Sequence, residues 1–163
     1  ISQSVEQIRR LNCVKFISKR NGRLIPEDAL TYHIDTNTPP ARFSRDISFG
    51  VHEGWTVTYA GLQIAWYLGF KEVILIGLDH RYEYSGKPNE ACRLDGPDTN
   101  HFSSEYFGNG QTWDNPDLVH SEESYRIAGA EFEKEGRRII DATVDGACTI
   151  FEKANYRKLF FSE

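Results

Sequence analysis

A helical pattern that runs directly into a short apolar run between residues 53 and 77 most constrains the fold. The segment EGWTVTYAGLQIAWYLGF carries small and apolar residues at helical spacing, namely Val57, Gly61, Ile64, Ala65 and Leu68. Gly69 then supplies a stop signal. The following KEVILIG is apolar from Val73 to Ile76 without alternation, which predicts a strand covered on both faces, as in a parallel sheet. A helix that feeds such a strand is half of a crossover unit.

The remaining patterns extend this unit into an α/β chain. CVKFIS and LTYHID predict strands before it, and RRIIDAT predicts one after it. SEESYRIAGAEFEKEG predicts a helix that starts at Ser121 and buries Tyr125, Ala128 and Phe132. Residues 35–54 and 79–118 lack periodicity and predict loops. We therefore expect a single α/β domain over residues 1–163, with a Rossmann-like, mostly parallel sheet and helices on both faces in three layers.

Composition narrows the classes of function. The 163 residues hold 24 acids and 19 bases for a net charge of −5, whereas a nucleic-acid binder is usually basic. No run approaches the roughly 18 apolar residues of a spanning helix, and no signal peptide stands at the start. Cys13, Cys92 and Cys148 fit neither a disulfide framework nor a zinc pattern. We expect reduced thiols in a cytoplasmic protein without nucleic acid or membrane span, and the oligomeric state stays open.

The segment LDHRYEY places reactive groups at the carboxyl end of the predicted buried strand, where ligands bind in such sheets. A carboxylate at Asp79 can accept from a sugar or ribose hydroxyl or hold a metal, and it can equally anchor its own loop. His80 titrates near neutrality and is one candidate for a general base. Tyr82 and Tyr84 can donate to phosphate oxygens or pack the loop on the sheet.

Three further groups of residues carry weaker signals. His101, inside the long loop 79–118, is a second candidate base. Thr56 and Thr58 lie in the first turn of the predicted helix, where phosphate binding is natural but where Thr56 can also act only as a cap. Asp95 and Asp98 can bind Mg²⁺ or shape a turn.

Several blocks together resemble one family. DISFGVHEGWTVTYAGLQIAWYLGFKEVILIGLDHRY, then NHFSSEYFG, then DATVDGACTIFEKANY resemble the MptE-like family of bacterial proteins, over residues 12–160. That family takes its name from an archaeal 6-hydroxymethylpterin diphosphokinase and overlaps the motility accessory factors linked to flagellin glycosylation. The MptE-like family, like the sialyltransferases compared below, carries a Gly-rich nucleotide-binding segment upstream of this region. That segment is absent here, so we expect the chain to be the C-terminal part of a larger protein.

More distantly, the chain is similar to bacterial CMP-sialic-acid-dependent sialyltransferases, through Leu68, Gly69, Lys71, Glu72, Gly77 and Asp79. The similarity implies that His101 is the general base, that Tyr82 and Tyr84 bind the phosphate of the leaving nucleotide, and that Thr56 lies at the nucleotide. Tyr82 falls one place late against that pattern, and the spacing differs.

The resemblance thus implies a nucleotide-sugar glycosyltransferase-like domain whose partners are a nucleotide-sugar and a hydroxyl acceptor, without a cofactor or bound metal. Two alternatives stay open. One is a Mg²⁺-dependent pyrophosphokinase that acts on a pterin-like alcohol, with carboxylates such as Asp79, Asp95 or Asp98 as ligands. The other is a non-catalytic scaffold or binding domain in polysaccharide assembly or flagellin glycosylation.

Overall fold

The computed structural model describes residues 4–37, 42–93 and 112–161. The chain divides into two compact units, Ile1–Phe70 and Lys71–Glu163. The expectation of a single domain stays a prediction.

The first unit contains two short parallel strand pairs and two helices. Helix α1 (Val5–Arg10) precedes β1 (Lys15–Ser18), which pairs in parallel with β2 (Thr31–Ile34). β3 (Thr36–Asn37) pairs in parallel with β4 (Val51–His52). The strands predicted from CVKFIS and LTYHID are therefore confirmed, whereas the expected loop over 35–54 also contains β3 and β4.

Helix α2 (Val57–Tyr67) forms where it was predicted, but it buries a different face. Gly69 at φ +86° follows its last turn, as expected. Tyr59, Leu62 and Gln63 are the buried residues, whereas Val57 is 86% exposed. The predicted stripe is wrong because a polar residue, Gln63, lies on the buried face, where β4 satisfies its amide.

The second unit contains a parallel sheet of three strands. β5 (Glu72–Leu75) pairs with β8 (Arg138–Asp141), and β8 pairs with β9 (Glu152–Lys153), so β8 is central. β6 (Ala91–Arg93) and β7 (Thr112–Asp114) form a separate antiparallel pair inside the segment predicted as a loop. Strands of two or three residues are too short to leave a periodic signal in the sequence.

The prediction that β5 is a strand covered on both faces is wrong. Its residues Val73–Leu75 are only half-buried, and Ile76 directly after it is 60% exposed. In β8, by contrast, Ile139, Ile140 and Asp141 are buried. The reason is position, because β8 has strands on both sides whereas β5 pairs on one side only within the described ranges.

Helix α3 (Leu118–Glu133) is the longest helix of the described residues, and helix α4 (Tyr156–Phe160) follows β9. α3 begins three residues before the predicted start, because Asp117 caps it by accepting from the backbone N–H of His120 at 3.2 Å. Ser121 lies inside the helix and donates to the carbonyl of Asp117 at 2.7 Å. The predicted stripe of Tyr125, Ala128 and Phe132 is buried.

The chain is thus an α/β protein with parallel strand pairs. The sheets of the described residues have only two or three strands each. The expected three-layer, Rossmann-like arrangement stays a prediction. Across residues 4–37, 42–93 and 112–161, none of the helices is both long and apolar enough to cross a membrane.

Candidate functional site

The loops that follow β5 and β8 are joined at the carboxyl edge of the parallel sheet. Leu78 N–H donates to Oγ1 of Thr143 at 2.9 Å, and the carbonyl of Asp79 accepts from Ala147 N–H at 2.8 Å. Gly77, at φ +75°, allows the chain to turn out of the strand. The two loops therefore lie against each other, and we call them together the β5–β8 loop surface (residues 77–82 and 141–147).

Gly146 lies at the closest approach within this surface. A Cβ at this position would stand 2.9 Å from the carbonyl oxygen of Leu78 and 2.9 Å from Cγ2 of Thr143. Such distances are shorter than ordinary carbon contacts. The absence of a side chain at Gly146 is what lets the β8 loop lie directly on the β5 loop.

Asp79 presents its carboxylate to solvent. Its backbone carbonyl anchors the loop, but its exposed side chain makes no hydrogen bond or ion pair with any described residue. The anchoring alternative thus applies to the main chain, and the carboxylate remains available for a ligand. Its role in catalysis stays a prediction.

The His80 side chain is mostly buried against helix α3. Its backbone has φ +50°, in the left-handed region that non-glycine residues adopt at a cost. The side chain is 7% exposed, and Nε2 lies 3.2 Å from Oε1 of Glu122. Its ring centroid is 6.0 Å from that of Tyr125. The loop is thus fixed to α3 by a histidine–carboxylate pair.

Two neighbouring side chains, His80 and Arg126, favour the charged form of Glu122. The hydrogen bond with His80 is the main cause that lowers the pKa of this carboxyl group, and Arg126, whose Nη2 is 2.9 Å from Oε2, lowers it further. Burial partly opposes both effects. Cys148 is fully buried, and burial raises the pKa of its thiol, so this cysteine is an inert core residue.

The two candidate tyrosines differ in their surroundings. Tyr82 is half-buried, and its ring centroid lies 6.1 Å from that of Trp113 on β7. Tyr84 is 37% exposed, and its hydroxyl has no partner among the described residues. The ring of Tyr82 therefore packs near β7, whereas Tyr84 is more exposed, and phosphate binding by either residue stays a prediction.

The segment after Tyr84 is fixed to the start of α3. The buried side chain of Asn115 donates to the carbonyls of Ser85 at 2.8 Å and Lys87 at 3.1 Å. Asn89 donates to Oδ2 of Asp117 at 3.0 Å. Burial raises the pKa of Asp117, but hydrogen bonds from His120 and Asn89 outweigh it and leave the pKa lowered. This carboxylate is thus committed to the cap.

Thr56 and Thr58 belong to the first unit. Oγ1 of Thr56 accepts from the backbone N–H of Thr58 at 3.3 Å, so Thr56 caps α2. Their binding of a nucleotide stays a prediction. His101, Asp95 and Asp98 lie outside the described residues, and the role of His101 as a base likewise stays a prediction.

Sequence reasoning missed one buried ion pair in this region. Asp141, the last residue of β8, is 0% exposed and accepts from Nζ of Lys153 at 2.6 Å and from Thr143 N–H at 2.9 Å. Lys153 also donates to the carbonyl of Gly146 at 3.1 Å. Asp141 directly follows the apolar residues Ile139 and Ile140, much as Asp79 follows the apolar run of β5. This position of an acid at a strand end is the sequence signal that could have marked Asp141.

Two cavities of about 290 Å³ lie in the first unit, and no residue predicted to act in the site lines either one. One of them is lined by Phe16, Tyr32 and Tyr67. Among the described residues, no group of three or more His, Cys, Asp or Glu side chains could hold a metal ion.

The chain was compared with protein families, curated proteins and solved structures. No protein-family model, curated protein or solved structure matches the chain.

Proposed function

We propose that the chain is a nucleotide-sugar glycosyltransferase-like domain of the sialyltransferase-like type, built on a Rossmann-like, three-layer sheet. The observation that carries the proposal is the free carboxylate of Asp79, which stands at the carboxyl end of a parallel strand on a loop held by main-chain hydrogen bonds. In open α/β sheets, ligands bind beyond these strand ends. The sugar and the nucleotide come from the sequence resemblance.

The reaction in this proposal is a direct displacement at the anomeric carbon. A histidine base removes the proton of an acceptor hydroxyl, and the oxygen attacks as the nucleotide phosphate departs. His101 is the base implied by the resemblance. Asp79 accepts hydrogen bonds from sugar hydroxyls, and Tyr82 or Tyr84 donates to the departing phosphate without a metal.

Phosphate binding by the helix N-terminus at Thr56 and Thr58, in the first unit, is a separate part of the proposal. The first turn of α2 offers backbone N–H groups and the positive end of the helix dipole. Because Thr56 already caps this turn, its contribution would come through neighbouring N–H groups and through the hydroxyl of Thr58.

Calorimetry with CMP, UDP, GDP and ATP tests the proposal, followed by transfer assays with CMP-, UDP- and GDP-sugars. We expect one nucleotide to bind and its sugar to be transferred. Asp79→Asn should weaken binding of the sugar donor at least tenfold, while Asp114→Asn, the same change at an exposed position on β7, should leave it unchanged. Equal behaviour of the two variants would contradict the site.

A pyrophosphoryl transfer is the second candidate, because an exposed carboxylate without a partner also suits Mg²⁺ beside substrate phosphates. A strict Mg²⁺ requirement, with ATP as the only donor, would favour it. Failure to bind any of the four nucleotides would favour the non-catalytic scaffold.

A further inference from the structure

The ring of His80 is fixed on one side only. Nε2 faces Oε1 of Glu122 at 3.2 Å, while Nδ1 makes no hydrogen bond with the part of the chain that the structure describes. Glu122 is ionised at neutral pH, since its pKa is lowered, and an ionised carboxylate only accepts. The proton of the neutral ring therefore sits on Nε2, and Nδ1 carries the lone pair.

A carboxylate behind an imidazole is the arrangement that orients a general base. It fixes the tautomer and stabilises the imidazolium that forms when the far nitrogen takes a proton. Here the carboxylate is itself held by Arg126 at 2.9 Å, so its orientation does not depend on His80 alone.

The backbone of His80 also carries strain. A left-handed φ at a non-glycine residue is maintained only where neighbouring contacts enforce it, and such residues cluster at functional sites. The enforcing contacts are those of Leu78 and Asp79 with the loop after β8. The imidazole of His80 and the free carboxylate of Asp79 thus belong to adjacent residues of one fixed loop.

We propose that His80, supported by Glu122, is the general base of the sugar transfer, a role that rests on the proposed function. Nδ1 takes the proton of the acceptor hydroxyl. The oxygen forms the new bond to the anomeric carbon, the bond from that carbon to the phosphate oxygen breaks, and its electron pair leaves with the nucleotide. Glu122 balances the charge of the imidazolium. His80 then takes this role in place of His101.

The tautomer of His80 tests this assignment without any substrate. Long-range ¹H–¹⁵N spectra of the imidazole rings, assigned with His80→Asn, should show the neutral Nε2–H form with a bare Nδ1 at pH 8. Glu122→Gln should lose this preference, while Glu123→Gln on the same turn should keep it. A Nδ1–H form, or an imidazolium that persists at pH 8, would overturn the proposal, because neither offers a lone pair at Nδ1.

Several charged or titratable groups lie near the His80 ring or near its partner Glu122. Glu122 and Arg126 face it from α3, Asp79 and Arg81 flank it in its own loop, and Cys148 of the β8 side interacts with Glu122. Arg81 is occupied with the carbonyl of Asp145 at 3.0 Å. Of these groups, Glu122 is the one that hydrogen-bonds the imidazole, so Glu122→Gln is the variant that tests the tautomer.

A rescue experiment tests catalysis. His80→Gly suits the left-handed backbone and opens space for free imidazole. We expect transfer to fall at least a hundredfold, to recover with added imidazole, and not to recover with pyrazole, which has the same shape but is a weaker base. A folded His80→Asn should be equally inactive.

The outcomes separate the two proposals. No transfer by the unmodified chain from any donor overturns the proposed function and the base assignment together. Transfer that persists in His80→Gly and His80→Asn, or that is abolished in His101→Gln and restored there by imidazole, overturns the base assignment alone and leaves the proposed function in place.

Discussion

The side-chain amide of Gln63 hydrogen-bonds both backbone groups of His52. Oε1 accepts from His52 N–H at 3.0 Å, and Nε2 donates to the His52 carbonyl at 2.8 Å. The same oxygen accepts from Ser44 N–H at 3.0 Å, and Nε2 also donates to Tyr59. One buried side chain thus joins helix α2 to strand β4 as a neighbouring strand would.

Replacing this amide should destabilise the first unit strongly. Gln63→Leu keeps the volume but leaves several buried backbone groups unsatisfied, so we expect a loss of about 2 to 4 kcal/mol in the free energy of unfolding. The same change at the exposed Gln7 should alter it by less than about 0.5 kcal/mol. Urea unfolding of both variants measures the difference, and equal losses would show that the amide is not a structural link.

Removal of Lys153 should leave a buried charge without its partner. Because Asp141 is fully buried while Lys153 is 41% exposed, we expect Lys153→Met to cost about 2 to 4 kcal/mol, at the lower end of the range for broken buried pairs. Lys134→Met breaks an exposed pair with Glu131 on α3 and should cost less than about 0.5 kcal/mol. Thermal and urea unfolding report both, and a similar small cost for Lys153→Met would contradict the buried pair.

Two alanine substitutions at glycines should act in opposite directions. Gly146→Ala would press a methyl group against Leu78 and Thr143, and we expect a loss of about 1 to 3 kcal/mol. Gly129 lies inside α3 with open space around its Cβ direction, so Gly129→Ala should stabilise the helix by about 0.5 to 1 kcal/mol. Stabilisation by both changes would mean that the two loops are not in close contact.

The pair of His80 and Glu122 predicts a pH dependence of stability. The folded pKa of Glu122 lies below its ordinary value of 4.5, so its contribution is present above pH 4.5 and is lost as the pH falls through the folded pKa. Glu122→Gln should therefore be less stable than the unmodified chain at pH 6, by about 1 kcal/mol for this partly exposed group. The difference should shrink in more acidic buffer.

Glu123→Gln serves as the control for that titration, because it makes the same change on the next, exposed residue of α3. Urea unfolding between pH 3 and pH 6 should give it a profile parallel to that of the unmodified chain. A constant difference for Glu122→Gln across this range would show that the carboxylate does not interact with His80 in the folded state.

Local sequence signals predicted where helices and strands form better than they predicted which faces are buried and which strands pair. The helices at α2 and α3 and the parallel strands β5 and β8 follow from periodicity and from apolar runs. The buried face of α2 could not be predicted, because Gln63 is polar and becomes a core residue only through its contacts with β4. Likewise, β5 reads as a central strand, and only the pairing order shows that β8 takes that place.

The candidate site was predictable only in part. The position of Asp79 after a strand follows from the sequence, and the structure places its carboxylate in an exposed position. The partnership of His80 with Glu122 joins positions 42 apart along the chain, so no local pattern could reveal it. The same holds for the approach of Gly146 to Leu78, since a short glycine-containing turn gives no sign of what it packs against.

The pairing of β5 with β8 also has a consequence for biosynthesis. Glu72 and its partner Arg138 are separated by 66 positions, and β9 at Glu152–Lys153 completes the sheet later still. Loop closure over such distances slows folding far more than it affects the final equilibrium. During synthesis on the ribosome, β5 therefore stays without its partner strand until the residues up to β8 have emerged.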